Sequence, residues 1–249
     1  MTPTIKTIDS ATSTNSYLSN IATQSGHGTV IITHNQTAGR GQRGNTWEAE
    51  PGKNITLSIL LKPTEIEARC QFIISEIISV AVVNTLRKYI NEPDRVSVKW
   101  PNDIYVDNKK ICGILIENSI AGNHINYSIA GIGLNINQTK FNSDAPNPVS
   151  LINIINKETL LEEISNVLCI EILNLCEQYQ HPEFHQQLHT IYTSMLWRRI
   201  GFHPYSTPDG KIFMARIDNI APNGLLTLTT QDGTSQTYAF KEVSAIIDQ

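Results

Sequence analysis

The first two hundred residues alternate between two kinds of hydrophobic pattern. Runs rich in β-branched residues predict strands at residues 5–8, 29–33, 55–61, 96–99, 103–106, 110–117 and 124–136. Apolar residues at helical spacing predict helices that begin near residue 14, cover 64–89, begin again near 159 and cover 183–196. Thr64 and Glu67 have the spacing of a capping box for the second helix. The pattern therefore predicts an α+β fold, with helices packed on a mixed, mainly antiparallel sheet.

The pattern changes after Arg199. Short β-rich runs follow, separated by the turn sequences Pro-Asp-Gly at 208–210, Pro-Asn-Gly at 222–224 and Asp-Gly at 232–233. Turn signals at such short intervals are typical of a compact all-β unit, in this case a small barrel. The chain is therefore divided into a larger domain, residues 1–198, and a small β-domain, residues 199–249.

Composition narrows the class of protein. The chain has 249 residues and 40% hydrophobic positions, and its 19 basic and 23 acidic residues give a net charge of −4. That balance argues against nucleic-acid binding through bulk charge. The N-terminal residues lack the features of a signal peptide, and the longest apolar stretch, 72–83, is too short to span a bilayer and contains Glu76. We therefore expect a cytoplasmic protein that binds neither DNA nor membranes.

Residues 39–44 have the sequence Gly-Arg-Gly-Gln-Arg-Gly. They match the spacing of a dinucleotide fingerprint, but no helix can follow them, because Pro51 and Gly52 come soon after. Glycines allow the backbone to approach a ligand, and Arg offers forked donors to phosphate or carboxylate. The segment is interpreted as a mobile loop that closes over an anionic ligand, with a solvated basic loop as the alternative.

Two further motifs carry polar chemistry near predicted strands. In Lys-Trp-Pro-Asn-Asp, residues 99–103, Asn102 is suited to an adenine edge and Asp103 to a magnesium-bound phosphate; an ordinary turn is the alternative. In the strand that follows, simple alternation predicts Lys110 and Cys112 on one face and Gly113 on the other. Lys110 could neutralise a substrate carboxylate, or it could be an exposed turn lysine, and Cys112 is best explained by packing.

Gly131 and Gly133 occupy alternate positions of one predicted strand. They would remove side chains from one face and leave a flat floor for a planar ligand, unless they mark a bulge. Neither a Gly-x-Ser-x-Gly sequence nor a His-Glu-x-x-His sequence occurs, so the motifs of a hydrolase triad and of a zinc site are missing.

In their order, these motifs resemble those of the biotin protein ligases (biotin–acetyl-CoA-carboxylase ligases). The matching pieces span residues 9–137: 13–15 (Ser-Thr-Asn), 36–41 (Gln-Thr-Ala-Gly-Arg-Gly) with Gly44 and Trp47, 99–103, 110–117 and 131–135. The resemblance implies a class II aminoacyl-tRNA synthetase-like fold with a small C-terminal SH3-like barrel. It also implies that biotin and ATP, with Mg²⁺, give biotinyl-5′-AMP, from which biotin passes to a lysine.

The resemblance also implies roles for individual residues. The catalytic cations would be Lys110 and Arg40. Biotin contacts fall on Ser13, Thr14, Gln36, Gly39, Arg40, Gly113, Leu115, Gly131 and Gly133. Contacts with ATP or the adenylate fall on Arg43, Trp47, Lys99, Asn102, Lys110 and Asn135, and the metal contact falls on Asp103.

The implied protein partner is a biotin carboxyl carrier domain of acetyl-CoA carboxylase or another biotin-dependent carboxylase. Because the ligase motifs begin at Ser13, we expect a dedicated ligase without an N-terminal DNA-binding domain. Exposed sheet edges leave a homodimer open. The alternatives are a lipoate ligase or transferase of the same fold, and a non-catalytic biotin-binding module; retention of Lys110 and Arg40 speaks against the module.

One departure from the family pattern generates a prediction. Many members carry Arg at the position of Gln42, where it helps to hold the phosphate of the intermediate, and Arg43 is the neighbour that could replace it. We expect Arg43→Ala to release more biotinyl-AMP and to biotinylate proteins other than the carrier. Streptavidin blots of a protein mixture would measure this, and labelling confined to the carrier would contradict it.

Overall fold

The computed structural model describes residues 1–143 and 147–247. For Arg43, within the first range, it describes only the backbone. Its main sheet contains strands β1 (Thr4–Ala11), β2 (Thr29–Gln36), β3 (Ile55–Leu61), β4 (Val96–Lys99), β5 (Asp103–Val106), β6 (Lys109–Ala121) and β7 (His124–Leu134). The strand order is β1-β2-β3-β7-β6-β5-β4. Only the β1–β2 pair among these is parallel. The predicted mixed, mainly antiparallel sheet is confirmed.

Helices cover both faces of this sheet. They are α1 (Thr14–Ile21), α2 (Phe72–Arg87), α3 (Leu151–Ile155), α4 (Leu161–Tyr179) and α5 (Pro182–Ser194). On one face, α2, α4 and α5 form a continuous core with alternate strand residues such as Val30 and Ile59. On the other face, α1 packs Leu18 against Ile31 and Leu60. Truncating a fully buried Leu or Ile here to Ala should cost about 2–5 kcal/mol.

The second helix does not begin at the predicted capping box. It begins at Phe72, after a 3₁₀ turn at Ala68–Cys70. Glu67 is extended, its carboxylate accepts a hydrogen bond from Arg69, and its backbone bridges to His124 at the tip of the β6–β7 hairpin. Pairing with this distant hairpin therefore replaces the local capping signal, so the capping-box prediction is wrong.

The predicted alternation of β6 is also wrong, because the strand contains a bulge. Tyr105 pairs with Lys110, whereas Ile104, its neighbour, pairs with Cys112, so Ile111 is the extra residue. Neighbouring strand residues point to opposite faces, and Lys110 and Cys112 consequently lie on opposite faces. Cys112 is fully buried in the core, and this burial raises the pKa of its thiol, consistent with a packing role.

A second, five-stranded antiparallel sheet follows the helices. Its strands are β8 (His203–Ser206), β9 (Ile212–Ile220), β10 (Leu226–Thr230), β11 (Ser235–Tyr238) and β12 (Ser244–Ala245), in the order β11-β10-β9-β8-β12. This confirms a β-rich C-terminal part, while closure into an SH3-like barrel and the boundary at 198/199 stay predictions. Its buried residues, including Tyr205 and Leu228, belong to the same apolar core as the main sheet.

The segment Ala68–Arg87 is long and apolar enough, by length and composition alone, to cross a membrane. It extends beyond the apolar stretch 72–83 that the sequence pattern indicates. However, 67% of its most apolar window is buried inside the protein. The helix α2 packs against α4, α5 and the main sheet, which is the arrangement of a core helix.

Glu76 on α2 is the charged group in that buried helix. Its side chain is only 4% exposed, and one carboxylate oxygen lies 2.7 Å from Nδ1 of His189 on α5. The other oxygen is buried without a hydrogen-bond partner among the described residues. Burial raises the pKa of Glu76, and the contact with His189 opposes part of that shift.

The raised pKa predicts how stability depends on pH. In acid below the carboxyl's ordinary pKa of about 4.3, Glu76 is protonated in both the folded and the unfolded state. As the pH rises from that value through the folded-state pKa, the wild type should lose stability relative to Glu76→Gln. The free energy of unfolding falls by about 1.4 kcal/mol for each unit by which the pKa of Glu76 in the folded state exceeds that in the unfolded state. Urea unfolding of both proteins between pH 4 and 8 measures the difference.

The control for this experiment is Glu177→Gln, at a carboxylate that is 61% exposed. Its stability should follow that of the wild type across the same pH range, because an exposed carboxylate is solvated in both states. A pH-independent difference between the wild type and Glu76→Gln would contradict the prediction.

Candidate functional site

The floor of the main cleft is one row of register partners across the sheet. Thr56 on β3 pairs with Gly133 on β7, Gly133 pairs with Gly113 on β6, and Gly113 pairs with Asp103 on β5. Lys99 on β4 extends the row. Because the two central positions are glycines, two adjacent strands present bare backbone to the cleft. The sequence predicts a floor of Gly131 and Gly133 on one strand. Here the bare floor consists of Gly133 and Gly113 on adjacent strands, and the Asn15 amide occupies the space at Gly131.

The indole of Trp47 lies on this floor. A Cβ added at Gly133 would be 2.3 Å from the ring, and one added at Gly113 would be 2.9 Å from it. The loop that carries Trp47 folds back on itself, with Trp47 N donating to the Gly39 oxygen at 3.0 Å. The indole Nε1 is buried without a hydrogen-bond partner in the described part of the chain. The cleft thus contains one unused donor.

Two residues further along the strands, on the same face of the sheet, a second row of register partners contacts a cluster of polar side chains. Ser58 on β3 pairs with Gly131, which pairs with Leu115. The Ser58 hydroxyl lies 2.7 Å from Thr14 Oγ1 and 2.6 Å from Asn15 Oδ1. A Cβ at Gly131 would meet Asn15 Oδ1 at 2.3 Å. Gly131 therefore makes room for the Asn15 amide.

Gln36 completes this cluster from the end of β2. Its Oε1 accepts from Thr14 N at 3.0 Å and lies 3.4 Å from Thr14 Oγ1. Ser13 precedes α1, is 5% exposed and lines the same cleft. The structure thus brings Ser13, Thr14 and Gln36 together, as the sequence predicts. They form a small, largely buried set of donors and acceptors that would suit a polar ring.

Lys110 and Asp103 stand at the other end of the floor. Lys110 Nζ lies 2.7 Å from Asp103 Oδ1 and 5.7 Å from the centre of a Trp47 ring. The bulge at Ile111 places Lys110 on the cleft face, where its Cε is 3.4 Å from the Cβ position of Gly113. A cation fixed by a carboxylate at the end of an uncharged floor is suited to an anionic ligand group.

Lys99 adds a second cation beside Asp103. Its Nζ lies 5.4 Å from the Tyr105 ring centre. Burial lowers the pKa of Lys99; Lys110 and Arg198 lower it further, while Asp103 raises it. Because burial is the main cause, an anionic ligand group such as a phosphate beside Lys99 would favour its charged form.

Asp103 is the predicted magnesium contact. Among the described residues, no group of three or more His, Cys, Asp or Glu side chains could hold a metal ion. Mg²⁺ often binds proteins through only one or two carboxylates and takes further ligands from substrate phosphates and water. Asp103 fits that limited role as a single carboxylate ligand.

Arg40 is not beside Lys110. Its guanidinium lies 3.1 Å from the Glu117 carboxylate and 3.3 Å from Ser16 Oγ. Glu117 follows Lys110 by seven residues on β6, which corresponds to about 20 Å along a strand. The two predicted catalytic cations therefore stand at opposite ends of the cleft, and the side chain of Arg43 lies outside the described atoms.

The two predicted adenine contacts differ in position. Asn102 is nearly buried and lines the cleft, and its amide donates to the Ile114 oxygen at 2.6 Å. Asn135 is not among the described residues that line the cleft. Its amide donates to the Val149 oxygen at 3.1 Å. The structure therefore gives Asn135 a supporting position.

The second sheet supplies one wall of the cleft. Phe240 lines it and packs edge-to-face on Trp100, with ring centres 6.2 Å apart. The Trp100 indole also donates to the Gly224 oxygen at 3.0 Å. The cleft, with a cavity volume of about 130 Å³, is therefore closed on one side by residues far away in sequence.

Comparison with known proteins shows the family to which this chain belongs. Residues 7–135, which are more than half of it, match the model of the biotin/lipoate A/B protein ligase family. The chain belongs to this family. The matched segment contains the whole floor, the polar cluster and the Lys110–Asp103 pair.

Individual proteins that are similar to this member of the biotin/lipoate ligase family share less than a third of the aligned residues with it. The chain is 28% identical over 216 residues to the bifunctional ligase/repressor BirA of Bacillus spizizenii, covering 85% of this chain and 65% of that protein. It is 30% identical over 128 residues to the biotin–[acetyl-CoA-carboxylase] ligase of Mycobacterium tuberculosis, covering 51% and 46% of the two chains. The chain thus spans less than two thirds of the length of these curated relatives.

Solved structures support the fold along the full chain. The biotin protein ligase of Aquifex aeolicus in complex with biotin and ATP superposes with a TM-score of 0.81 at 21% identity, covering 98% of this chain and 99% of that chain. The ligase of Leishmania major in complex with biotin gives 0.69 at 21% identity, covering 96% and 99%. The biotin protein ligase fold is thereby confirmed.

Four site residues discussed above were not predicted from the sequence: Asn15, Ser58, Glu117 and Phe240. Ser58 had a usable signal, because it is a hydroxyl in the middle of a strand whose other residues are nearly all apolar. Glu117 ends an apolar run on β6, which is a weaker signal. Phe240 had none, since only the folded chain brings the second sheet to the cleft.

The floor generates a prediction. Gly133→Ala places a methyl group inside the Trp47 ring position and should drive the indole off the floor. With 5-fluorotryptophan incorporated at the three Trp positions, one ¹⁹F resonance, assigned through Trp47→Phe, should shift markedly. Gly26→Ala is the control, because its added Cβ meets no atom within 4 Å. Equal spectra for both variants would contradict this position of Trp47.

Proposed function

We propose that the protein activates biotin with ATP to biotinyl-5′-AMP and transfers the biotin to a lysine of a biotin carboxyl carrier domain. One observation carries the proposal: the polar cluster around Thr14 and the Lys110–Asp103 pair stand on either side of the glycine floor formed by Gly113 and Gly133. Their rows, Gly131–Leu115 and Gly133–Gly113, are two residues apart along the strands, about 7 Å. A polar ring joined to a carboxylate by an apolar chain matches that order of groups. The names of the relatives support the choice of biotin.

In the first step, a carboxylate oxygen of biotin attacks the α-phosphorus of ATP. A carbon-bound oxygen thereby gains a bond to phosphorus, and the bond from phosphorus to the pyrophosphate oxygen breaks. Two anions must approach each other, and Lys110 reduces their repulsion. Asp103 holds Lys110 in place through the 2.7 Å ion pair. Lys99 adds positive charge where phosphate oxygens would lie.

Asp103 would also hold Mg²⁺ as its one protein carboxylate. The metal would supply charge neutralisation of the phosphates when bound.

In the second step, the neutral amine of the carrier lysine attacks the carbonyl carbon of the mixed anhydride. An amide bond forms, the carbon–oxygen bond to AMP breaks, and the amine loses a proton. Water competes with the amine for the same carbon, so the anhydride has to be covered. The loop from Gly39 to Trp47 is placed to do this, because its indole already lies over the floor.

Lys110→Ala tests this proposal, with Lys109→Ala as the matched control. Lys109 is the exposed neighbour at the start of β6. We expect Lys110→Ala to lower transfer of labelled biotin to an isolated carrier domain by about 100-fold or more. Lys109→Ala should stay within about twofold of wild type, since a surface substitution usually has a small effect. Full activity of Lys110→Ala would remove the central role of that residue.

A second assay, of pyrophosphate release, distinguishes between the possible substrates. Pyrophosphate release is measured with biotin and ATP, and again with lipoate and ATP. Release with biotin alone supports the proposal, release with lipoate alone would replace it with a lipoate ligase, and release with neither would leave a binding module.

A further inference from the structure

Glu117 accepts hydrogen bonds from two different parts of the site on a single carboxylate oxygen. Its Oε2 lies 2.7 Å from Asn15 Nδ2 and 3.1 Å from Arg40 Nη2. Asn15 is 2% exposed and belongs to the polar cluster. Arg40 belongs to the loop that carries Trp47. Within this loop, Arg40 forms a β-bridge with Thr46, the residue before Trp47. One carboxylate therefore contacts both the ring end of the floor and its cover.

The first contact fixes the orientation of the Asn15 amide. Asn15 Nδ2 also donates to the Leu115 oxygen at 3.2 Å, while Oδ1 accepts from Ser58 at 2.6 Å. A carboxylate and a carbonyl oxygen can only accept, so both require the NH₂ group on their side. A flipped amide would set its oxygen against two acceptors. Glu117 thus helps to keep Oδ1 directed to Ser58 and Gly131.

The second contact anchors the loop. Arg40 stands between Gly39 and Gly41, whose backbones are free to rotate. Its guanidinium reaches Glu117 and Ser16, both outside the loop. An exposed ion pair alone contributes little to stability, and Arg40 and Glu117 are 47% and 40% exposed. It is important here because it connects the loop to β6, beside the polar cluster.

We propose that Glu117 is a positioning residue for this reaction: it sets the Asn15 amide for ring recognition and anchors the Arg40 loop over the floor. Recognition of the ring and coverage of the floor then depend on the same carboxylate. This inference rests on the proposed biotin ligase function for its kinetic consequences. The anchoring of the loop is a property of the protein alone.

Two substitutions separate the two contacts. Glu117→Gln keeps an oxygen that can accept from Asn15 but removes the charge that holds Arg40. Glu117→Ala removes both. The matched control is Glu92→Ala, which removes the carboxylate of another exposed ion pair, with Arg95.

Steady-state kinetics with biotin and ATP form the first readout. We expect Glu117→Ala to raise KM for biotin about tenfold, because a buried donor of Asn15 loses its charged acceptor. Glu117→Gln should raise it by a smaller factor, about threefold. KM for ATP should stay within about twofold in both, whereas general destabilisation would affect both substrates. An unchanged KM for biotin in Glu117→Ala would overturn the positioning of Asn15.

Limited trypsin digestion is the second readout, since the loop contains a second cleavage site at Arg43. Both Glu117 variants should be cut after Arg43 several times faster than wild type and Glu92→Ala, without any substrate present. Cleavage at the wild-type rate would overturn the anchoring of the loop. Should wild type release no pyrophosphate with biotin, the proposed function fails, while the digestion still decides whether Glu117 anchors Arg40.

Discussion

The direct pairing of Gly113 with Gly133 is the constraint on which the rest of the site depends. Two glycines opposite each other on adjacent strands leave the sheet without side chains at one point of its cleft face. Isolated glycines weaken a strand, because they lose more backbone entropy and pack nothing. The loss is offset when another group lies on the exposed backbone, and in this structure that group is the Trp47 indole. The floor and its cover therefore stabilise each other, and a substrate has to share that contact.

The Ile111 bulge makes the floor chemically useful. In a regular strand, Lys110 would have pointed into the core formed by α2 and α4, where a buried ammonium is strongly unfavourable. The extra residue turns it to the cleft face, next to Asp103. The same bulge leaves Ile111 and Cys112 consecutive in the core. One inserted residue thus reconciles a fully apolar inner face with a cation at the end of the glycine floor.

Local patterns predict most of this fold because its elements are locally consistent. The strand Ile55–Leu61 and the helix Leu161–Tyr179 follow from residue types and periodicity alone. The predictions fail where distant parts of the chain decide the outcome. Glu67 pairs with the β6–β7 hairpin instead of capping a helix, and Lys110 changes face because of its pairing with Tyr105. Motifs can identify Lys110 as chemically important without showing which way it points.

The position of the second sheet links the end of the cleft that contains Lys110 and Asp103 to the core of the whole chain. Trp100 precedes Asn102 in the same motif, yet its indole is held by the Gly224 oxygen and the Phe240 ring. Gly224 in turn leaves space for Phe72 at the start of α2, where an added Cβ would lie 2.6 Å from the ring. The wall of the cleft, the second sheet and the core helix therefore meet around one glycine. Two residues after Trp100, the Asn102 amide donates to the Ile114 oxygen at the edge of the floor. The small C-terminal part is in this sense a component of the cleft, because the position of the motif at 99–103 depends on it.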